Sequence, residues 1–371
     1  MSHTARQGLR NWIEIDRKAI AYNFKVFRGL IPKRTKLMAV VKSNAYGHGL
    51  VDFAQEVERL GADFLGVDSM TEALALRRQG ITIPILVLGY TLPELIAEAA
   101  EKNISLTVSS FEALEAIQKA RLPKPLKVHI KVDTGMHRQG FLLIQQKTLL
   151  SKLKTQTAKI KVEGLFTHFA AAKNPAFPKD TQNQVAEFTQ WIGAFKKAGL
   201  TPILHAAATA GTLLFPETHF DMVRIGIGLY GYWPAQEVKA YLKDRLTLMP
   251  LLVWKSLITE IKSLKKGSRV GYDLTETLTS DSRVAVVPIG YWHGYPRSLS
   301  SIGRVVVRGS ECRVLGRVSM DMLTIDTTNV PNARVGNVVE IILDETTASL
   351  ADSSVYELIT RLNPLIKRLY H

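Results

Sequence analysis

The residue that most narrows the chemistry of this chain is Lys42, which follows the apolar run Leu37–Val41 and precedes turn residues and two glycines in VVKSNAYGHGL, residues 40–50. A lysine at a strand end can simply carry its ammonium to solvent. It can also present a primary amine to a bound carbonyl. Other chemistry-bearing residues stand in similar places. KVDTGMHRQG carries Lys131, Asp133 and Arg138; GLFTHF carries His168; HAAATAG carries His205 and Thr209; VRIGIGLYG carries Arg224, Gly226 and Gly228. Taken singly, His168 reads as a satisfied core histidine and Thr209 as a helix cap, while Arg224 inside an apolar run demands a partner. Taken together, a hydroxyl and several glycines near one end suit a phosphate, since backbone N–H groups are approachable where no Cβ intrudes. A lysine facing such a phosphate site suits an aldehyde, and pyridoxal phosphate unites the two groups.

These residues need a scaffold that brings strand ends together. Eight short apolar runs, at 36–42, 63–67, 84–88, 104–108, 127–133, 162–168, 203–208 and 222–228, alternate with amphipathic stretches such as LVDFAQEVERLG and TQNQVAEFTQWIGAFKKAG. In the latter, Val185, Phe188, Ile192 and Phe195 recur at helical spacing. The expected class is α/β: a (β/α)8 TIM-type barrel, whose site lies at the carboxyl ends of its strands. After about residue 245 strand-like runs dominate, including LLVWKSLITEI, RVAVVPIG, RVVVRG and NVVEIIL, so a second, mostly β C-terminal domain is expected. The expected division is 12–244 for the barrel and 245–371 for the β domain, with residues 1–11 packing on the latter. A closing helix is expected over about 353–362, capped by Asp352 or Ser353 and stopped by Pro364.

Composition restricts the alternatives. The 371 residues and 46% hydrophobic content suffice for two cores. No early apolar signal core and no long apolar run are present, so a cytoplasmic protein that does not engage a membrane is expected. One cysteine and nine histidines without close ligand spacing argue against disulfides and metal. The net charge of +15 is scattered rather than clustered, which argues for solubility and attraction of anionic ligands over nucleic-acid binding.

The motifs AVVKSNAYGHG, DTGMHRQGF, GLFTHFA, RIGIGLYG, PIGYWHGYPR and GRVSMDM, in this order, resemble the alanine racemase family of barrel-type pyridoxal phosphate enzymes. The resemblance covers nearly the whole chain. It implies that Lys42 holds pyridoxal 5'-phosphate as an imine, that Tyr46, Thr209, Gly226 and Ile227 bind its phosphate, and that Arg224 faces the pyridine nitrogen. Arg138 is implied near the cofactor phenolate and the substrate carboxylate. The family also implies a homodimer with shared active sites, in which Tyr272 of the second chain is the other catalytic base and Tyr291, Met320 and Asp321 line the entry of a small amino acid. His168 would bond Tyr272 and Arg224, and Lys131 corresponds to a lysine that many members carry as a carbamate. Ser319 stands where some relatives have cysteine, and Ala208 where some have asparagine; Pro364 appears where some have a phosphate-contacting tyrosine, so no ligand is assigned there.

The implied activity is interconversion of L- and D-alanine by two bases, supplying D-alanine for peptidoglycan. A broader-specificity amino acid racemase of the same fold is the nearest alternative. A non-catalytic pyridoxal phosphate-binding barrel is disfavoured by the 120-odd residues after the barrel and by Tyr272 within them. A barrel decarboxylase for basic amino acids is disfavoured by Arg224 and by Cys312 being the only cysteine.

Overall fold

The structure is a computed structural model that describes residues 8–155 and 158–371. The chain divides into two compact units. One holds Lys18–Ala45 and the described residues of Leu50–Pro250; the other holds the described N-terminal residues up to Arg17, Tyr46–Gly49 and Leu251–His371. Residues 1–7 of the segment expected to pack on the β domain lie outside the described residues. Strand β1, Asn11–Ile15, belongs to the second unit.

The first unit is a barrel of eight parallel strands: β2 Lys36–Val40, β3 Phe64–Val67, β4 Ile85–Val87, β5 Ile104–Val108, β6 Leu126–Lys131, β7 Ile160–Phe166, β8 Ile203–His205 and β9 Met222–Ile225. They pair in the order β8-β7-β6-β5-β4-β3-β2-β9. Between β8 and β9 no ladder forms; closure rests on Asp221 N–H to Leu204 O at 3.0 Å and Arg224 N–H to Ala207 O at 2.9 Å. Strands covered on both faces bury every residue of β3, β5 and β9, which is why β3 reads as an apolar run and why Ser105 and Thr107 in β5 and Arg224 in β9 are buried polar exceptions. Met38, Phe64, Leu86 and Met222, from four neighbouring strands, pack as one cluster. The helix Lys179–Lys197 buries Gln184, Phe188, Trp191 and Phe195, so the stripe read from sequence is rotated slightly toward Trp191.

The second unit is mostly β. A six-stranded sheet runs β16-β15-β18-β10-β1-β19, with β10 Leu252–Leu257, β15 Arg304–Val307, β16 Ser310–Arg313, β18 Val338–Ile341 and β19 Lys367–Tyr370. Strand β1 sits between β10 (antiparallel) and β19 (parallel), so the two ends of the described chain share one sheet. A three-stranded sheet joins β11 Glu260–Leu264, β14 Ser282–Val287 and β17 Leu323–Asp326; β12 Arg269–Val270 and β13 Glu276–Thr277 form a hairpin. The closing helix spans Val355–Thr360, and its cap is Ser354, whose hydroxyl accepts the Glu357 N–H. The chain then continues into β19 instead of ending on that helix.

Candidate active site

Strand β2 stops at Val40, and Lys42 opens a turn of unusual hand. Ser43, Asn44, Ala45 and Tyr46 have φ of 56°, 55°, 50° and 52°, followed by Gly47 at 85°. Each non-glycine residue in this region costs roughly 1–2 kcal/mol, so the surroundings must hold it. Ala45 N–H reaches Val41 O at 2.8 Å, Asn44 Oδ1 accepts Leu50 N–H at 2.9 Å, and the Glu72 carboxylate accepts the Ser43 and Asn44 N–H groups. In the second unit Arg368 donates to Gly47 O at 2.9 Å and the Tyr370 hydroxyl to His48 O at 3.0 Å, which ties YGHG to β19. Gly47 has no alternative, because a Cβ would sit 1.9 Å from Ile359 O. The turn leaves the Lys42 side chain 39% exposed, with Nζ 3.4 Å from Asp68 Oδ1. A primary amine so placed is open to a carbonyl.

The carboxyl ends of β6, β7 and β9 gather a cationic cluster. Arg224 is 4% exposed and has no carboxylate partner among the described residues. Its Nη2 bonds Thr167 O at 2.9 Å, Ala206 O at 2.8 Å and His168 Nδ1 at 3.1 Å, and its Nη1 bonds His205 Nδ1 at 2.9 Å. Those bonds leave its Nε–H and one Nη1–H to donate. Burial lowers the Arg224 pKa to about 9. His168 falls to about 3 through burial first and then the charges of Arg224, Arg138, Lys131 and Lys42, so it is a neutral imidazole. Because guanidinium can only donate, Nδ1 of His168 is the bare nitrogen and Nε2 carries the proton. Lys131, at the last position of β6, donates to Gln139 Oε1 at 2.8 Å. Burial, followed by Arg138 and Arg224, lowers its pKa to about 8. The loop carrying Arg138 is shaped by Asp133, whose Oδ1 accepts the N–H groups of Gly135, Met136 and His137, each at 3.0 Å.

A second line of polar contacts runs from Arg224 through the barrel interior. His205 Nε2 lies 2.8 Å from His129 Nδ1, and His129 Nε2 lies 3.2 Å from Glu163 Oε2. With Arg224 donating to His205 Nδ1, each imidazole must donate onward from Nε2, and the series ends on a carboxylate. Both histidines are buried and shifted down, chiefly by desolvation. Burial would raise Glu163, but hydrogen bonds from His129 and Ser105 hold it at about 2. Gly164 makes the arrangement possible: a Cβ there would lie 2.0 Å from His129 Nδ1. Arg224 is thus a buried cation balanced at a distance through two neutral rings.

An anion cradle lies where β8 and β9 end. Thr209 Oγ1, at the start of the helix Thr209–Leu214, accepts the Gly226 N–H at 3.2 Å and the Gly228 N–H at 3.4 Å. These long bonds are weak enough for a phosphate oxygen to replace them. Gly228 has no space for a side chain, since a Cβ would meet Phe27 Cζ at 2.3 Å and Thr209 Cγ2 at 2.8 Å. Ile227 is buried between the glycines. A hydroxyl, backbone N–H groups, an amine and an uncommitted guanidinium N–H form a donor set that fits a phosphorylated aldehyde with an unprotonated ring nitrogen. No cluster of His, Cys, Asp or Glu among the described residues could hold a metal ion.

In the second unit Tyr46 is half-buried, and desolvation raises its pKa to about 12, with its ring 6.3 Å from that of Tyr356. Tyr272 is 69% exposed at the tip of the β12–β13 hairpin, on a turn where Gly271, Asp273 and Leu274 all have positive φ. The exposed Tyr291 and Met320 are neighbours: Tyr291 and Trp292 donate their N–H groups to Ser319 O and Met320 O, each at 3.0 Å. Gly290 permits this approach, because a Cβ would meet Ser319 O at 2.1 Å. Asp321 follows on the same segment.

Within the barrel the structure brings His168 into direct contact with Arg224, and it joins Thr209 to Gly226. Sequence reasoning did not find Glu72, Asp68, His129, Glu163 or Gln184. Gln184 is buried in the helix Lys179–Lys197 and accepts Ala170 N–H at 2.8 Å, steadying the loop after His168. A glutamine in place of an apolar stripe residue was the available signal. For Glu163, the signal was a charge inside an apolar strand.

Comparison with known proteins agrees with this geometry. The family model "Alanine racemase, N-terminal domain" matches residues 15–234, and "Alanine racemase, C-terminal domain" matches 251–370. An alanine racemase of Methanococcus maripaludis is 39% identical, over 97% of this chain and 98% of its own length. The crystal structure of alanine racemase from Bacillus anthracis with bound L-Ala-P superposes with a TM-score of 0.92 at 34% identity, covering 98% of this chain and 95% of that one. Alanine racemase from Clostridium difficile 630 gives 0.91 at 31%, covering 98% and 96%. Barrel, β domain and lysine-bearing turn occur here in a sequence that matches both halves of one family along nearly its whole length, and the chain belongs to the alanine racemase family.

Proposed function

We propose that this protein is a pyridoxal 5'-phosphate-dependent isomerase that interconverts L- and D-alanine, acts in the cytoplasm, and supplies D-alanine for peptidoglycan. The observation that carries the reading is Arg224: a buried guanidinium bonded only to neutral acceptors, with its Nε–H and one Nη1–H left over. Such a donor keeps a pyridine nitrogen unprotonated, which moderates the electron sink and puts more of the work on the acid–base residues. Bound here, pyridoxal 5'-phosphate supplies an aldehyde for the substrate amine and a ring that loosens the α-proton.

The chain's own residues do the rest. Lys42 Nζ exchanges a proton with one face of the alanine Cα, and the Tyr272 hydroxyl of a second copy of the chain with the other. His168, neutral and protonated on Nε2, is a hydrogen-bond donor that favours a phenolate. Arg138 holds the substrate carboxylate, and Tyr291, Met320 and Asp321 border its entry. Thr209, Gly226, Ile227 and Tyr46 hold the phosphate. Lys131, as a carbamate, would hold Arg138 in place. Exposure of Tyr272, Tyr291, Trp292, Met320 and Met322 in the second unit supports a homodimer that covers them.

Purified, cofactor-loaded protein is incubated with L-alanine and, separately, with a panel of other L-amino acids, and the products are separated on a chiral column. D-Alanine should form far faster than any other D-enantiomer. Comparable rates across the panel would assign a broader-specificity racemase, and no D-product would refute the proposal.

A further inference from the structure

The carboxylate of Glu72 lies in the helix Met70–Arg78 and does none of the proposed chemistry, yet it joins two turns. Oε1 accepts the N–H of Ser43 at 2.6 Å and of Asn44 at 3.3 Å, and Oε2 accepts the N–H of Asp68 at 2.8 Å. Asp68 in turn pairs with Lys42 Nζ. One side chain therefore ties the residue after Lys42 and the residue that meets its amine to the same helix. We propose that Glu72 is a positioning residue that fixes the direction in which Lys42 leaves the backbone.

The physical need is specific. Residues 43–46 are left-handed without a glycine among them, and the first N–H groups of such a turn have no partner within it. Released from the carboxylate, Ser43 and Asn44 would relax toward negative φ, rotating the Cα–Cβ bond of Lys42 with them. A carboxylate can accept on both oxygens. A carboxamide of the same shape accepts on one only, and turns N–H groups toward N–H groups on the other. Glu72→Gln therefore keeps the volume and breaks one half of the tether.

The test has two parts, of which only the second rests on Lys42 being the base of the proposed function. First, amide hydrogen exchange is followed in the cofactor-free chain. In Glu72→Gln, and in Glu72→Met, which lacks any acceptor, Ser43 and Asn44 should exchange about tenfold faster or more while Phe64–Val67 stays as in wild type. Second, deuterium entry from solvent into alanine is measured in loaded enzyme from each enantiomer. Entry from D-alanine, whose proton Lys42 takes, should fall about tenfold further than entry from L-alanine, since misplacing a reacting group costs rate on its own face. Unchanged exchange at Ser43 and Asn44, or equal loss from both enantiomers, would overturn the proposal. If wild type racemises nothing, the function fails while the exchange data still decide the role of Glu72.

Discussion

Lys131 offers the sharpest quantitative test of the cationic cluster. Its pKa is lowered from 10.5 to about 8, by burial first and then by Arg138 and Arg224. Between those values the unfolded chain binds a proton that the folded chain does not, so stability rises with pH there. Below about 8 the folded protein carries the whole penalty, about 3 kcal/mol at 1.36 kcal/mol per unit. Lys131→Met removes the titration and keeps the bulk; the loss of the bond to Gln139 shifts stability equally at every pH. Urea unfolding of both proteins in carbonate-free buffer should show wild type gaining about 2 kcal/mol on the variant between about pH 7 and 9.5. Parallel curves would mean that Lys131 is not depressed and that the cluster exerts no such field. A depressed lysine is also the one able to react with dissolved carbon dioxide as a neutral amine. Labelled bicarbonate should therefore give a carbamate carbon signal that Lys131→Met lacks.

Two further changes test the cradle and the interior line of contacts. Gly228→Ala forces a Cβ into Phe27 and Thr209, and should cost about 1–3 kcal/mol in unfolding and raise the dissociation constant for pyridoxal phosphate; wild-type values for both would show that the cradle has slack. Glu163→Leu removes the carboxylate at the end of the His205–His129 series and should cost about 3–5 kcal/mol, with changed ¹⁵N shifts of both imidazoles; shifts identical to wild type would mean that Glu163 does not set their tautomers.

The eight barrel strands were legible because strands covered on both faces leave short, mainly apolar runs between the amphipathic helices. Arg224 and Lys131 stood out because a charge inside an apolar run, or at its end, conflicts with its surroundings. What stayed hidden depends on contacts distant in sequence. The hand of Ser43–Tyr46 is not written in those residue types, of which only Asn44 tolerates it readily; it is imposed from Glu72, and the following YGHG is gripped by Arg368 and Tyr370, more than 300 positions away. Strand β1 has no pattern that names its partners, β10 about 240 residues on and β19 at the C-terminal end. KRLY, the four residues of β19, is too short a signal to reveal a strand after the expected closing helix. His129 and Glu163 each look like an interruption of a strand until barrel closure stacks them beside His205.

We propose that Lys42 and Tyr272 are the two bases of one site assembled from two chains. Two separately inactive proteins, Lys42→Ala and Tyr272→Phe, are mixed under conditions shown by mass-tagged subunits to allow exchange. In a two-fold dimer every mixed pair has one site with both defects and one with neither, so equal amounts should recover about a quarter of wild-type alanine racemisation. Exchange without recovered activity would contradict the claim.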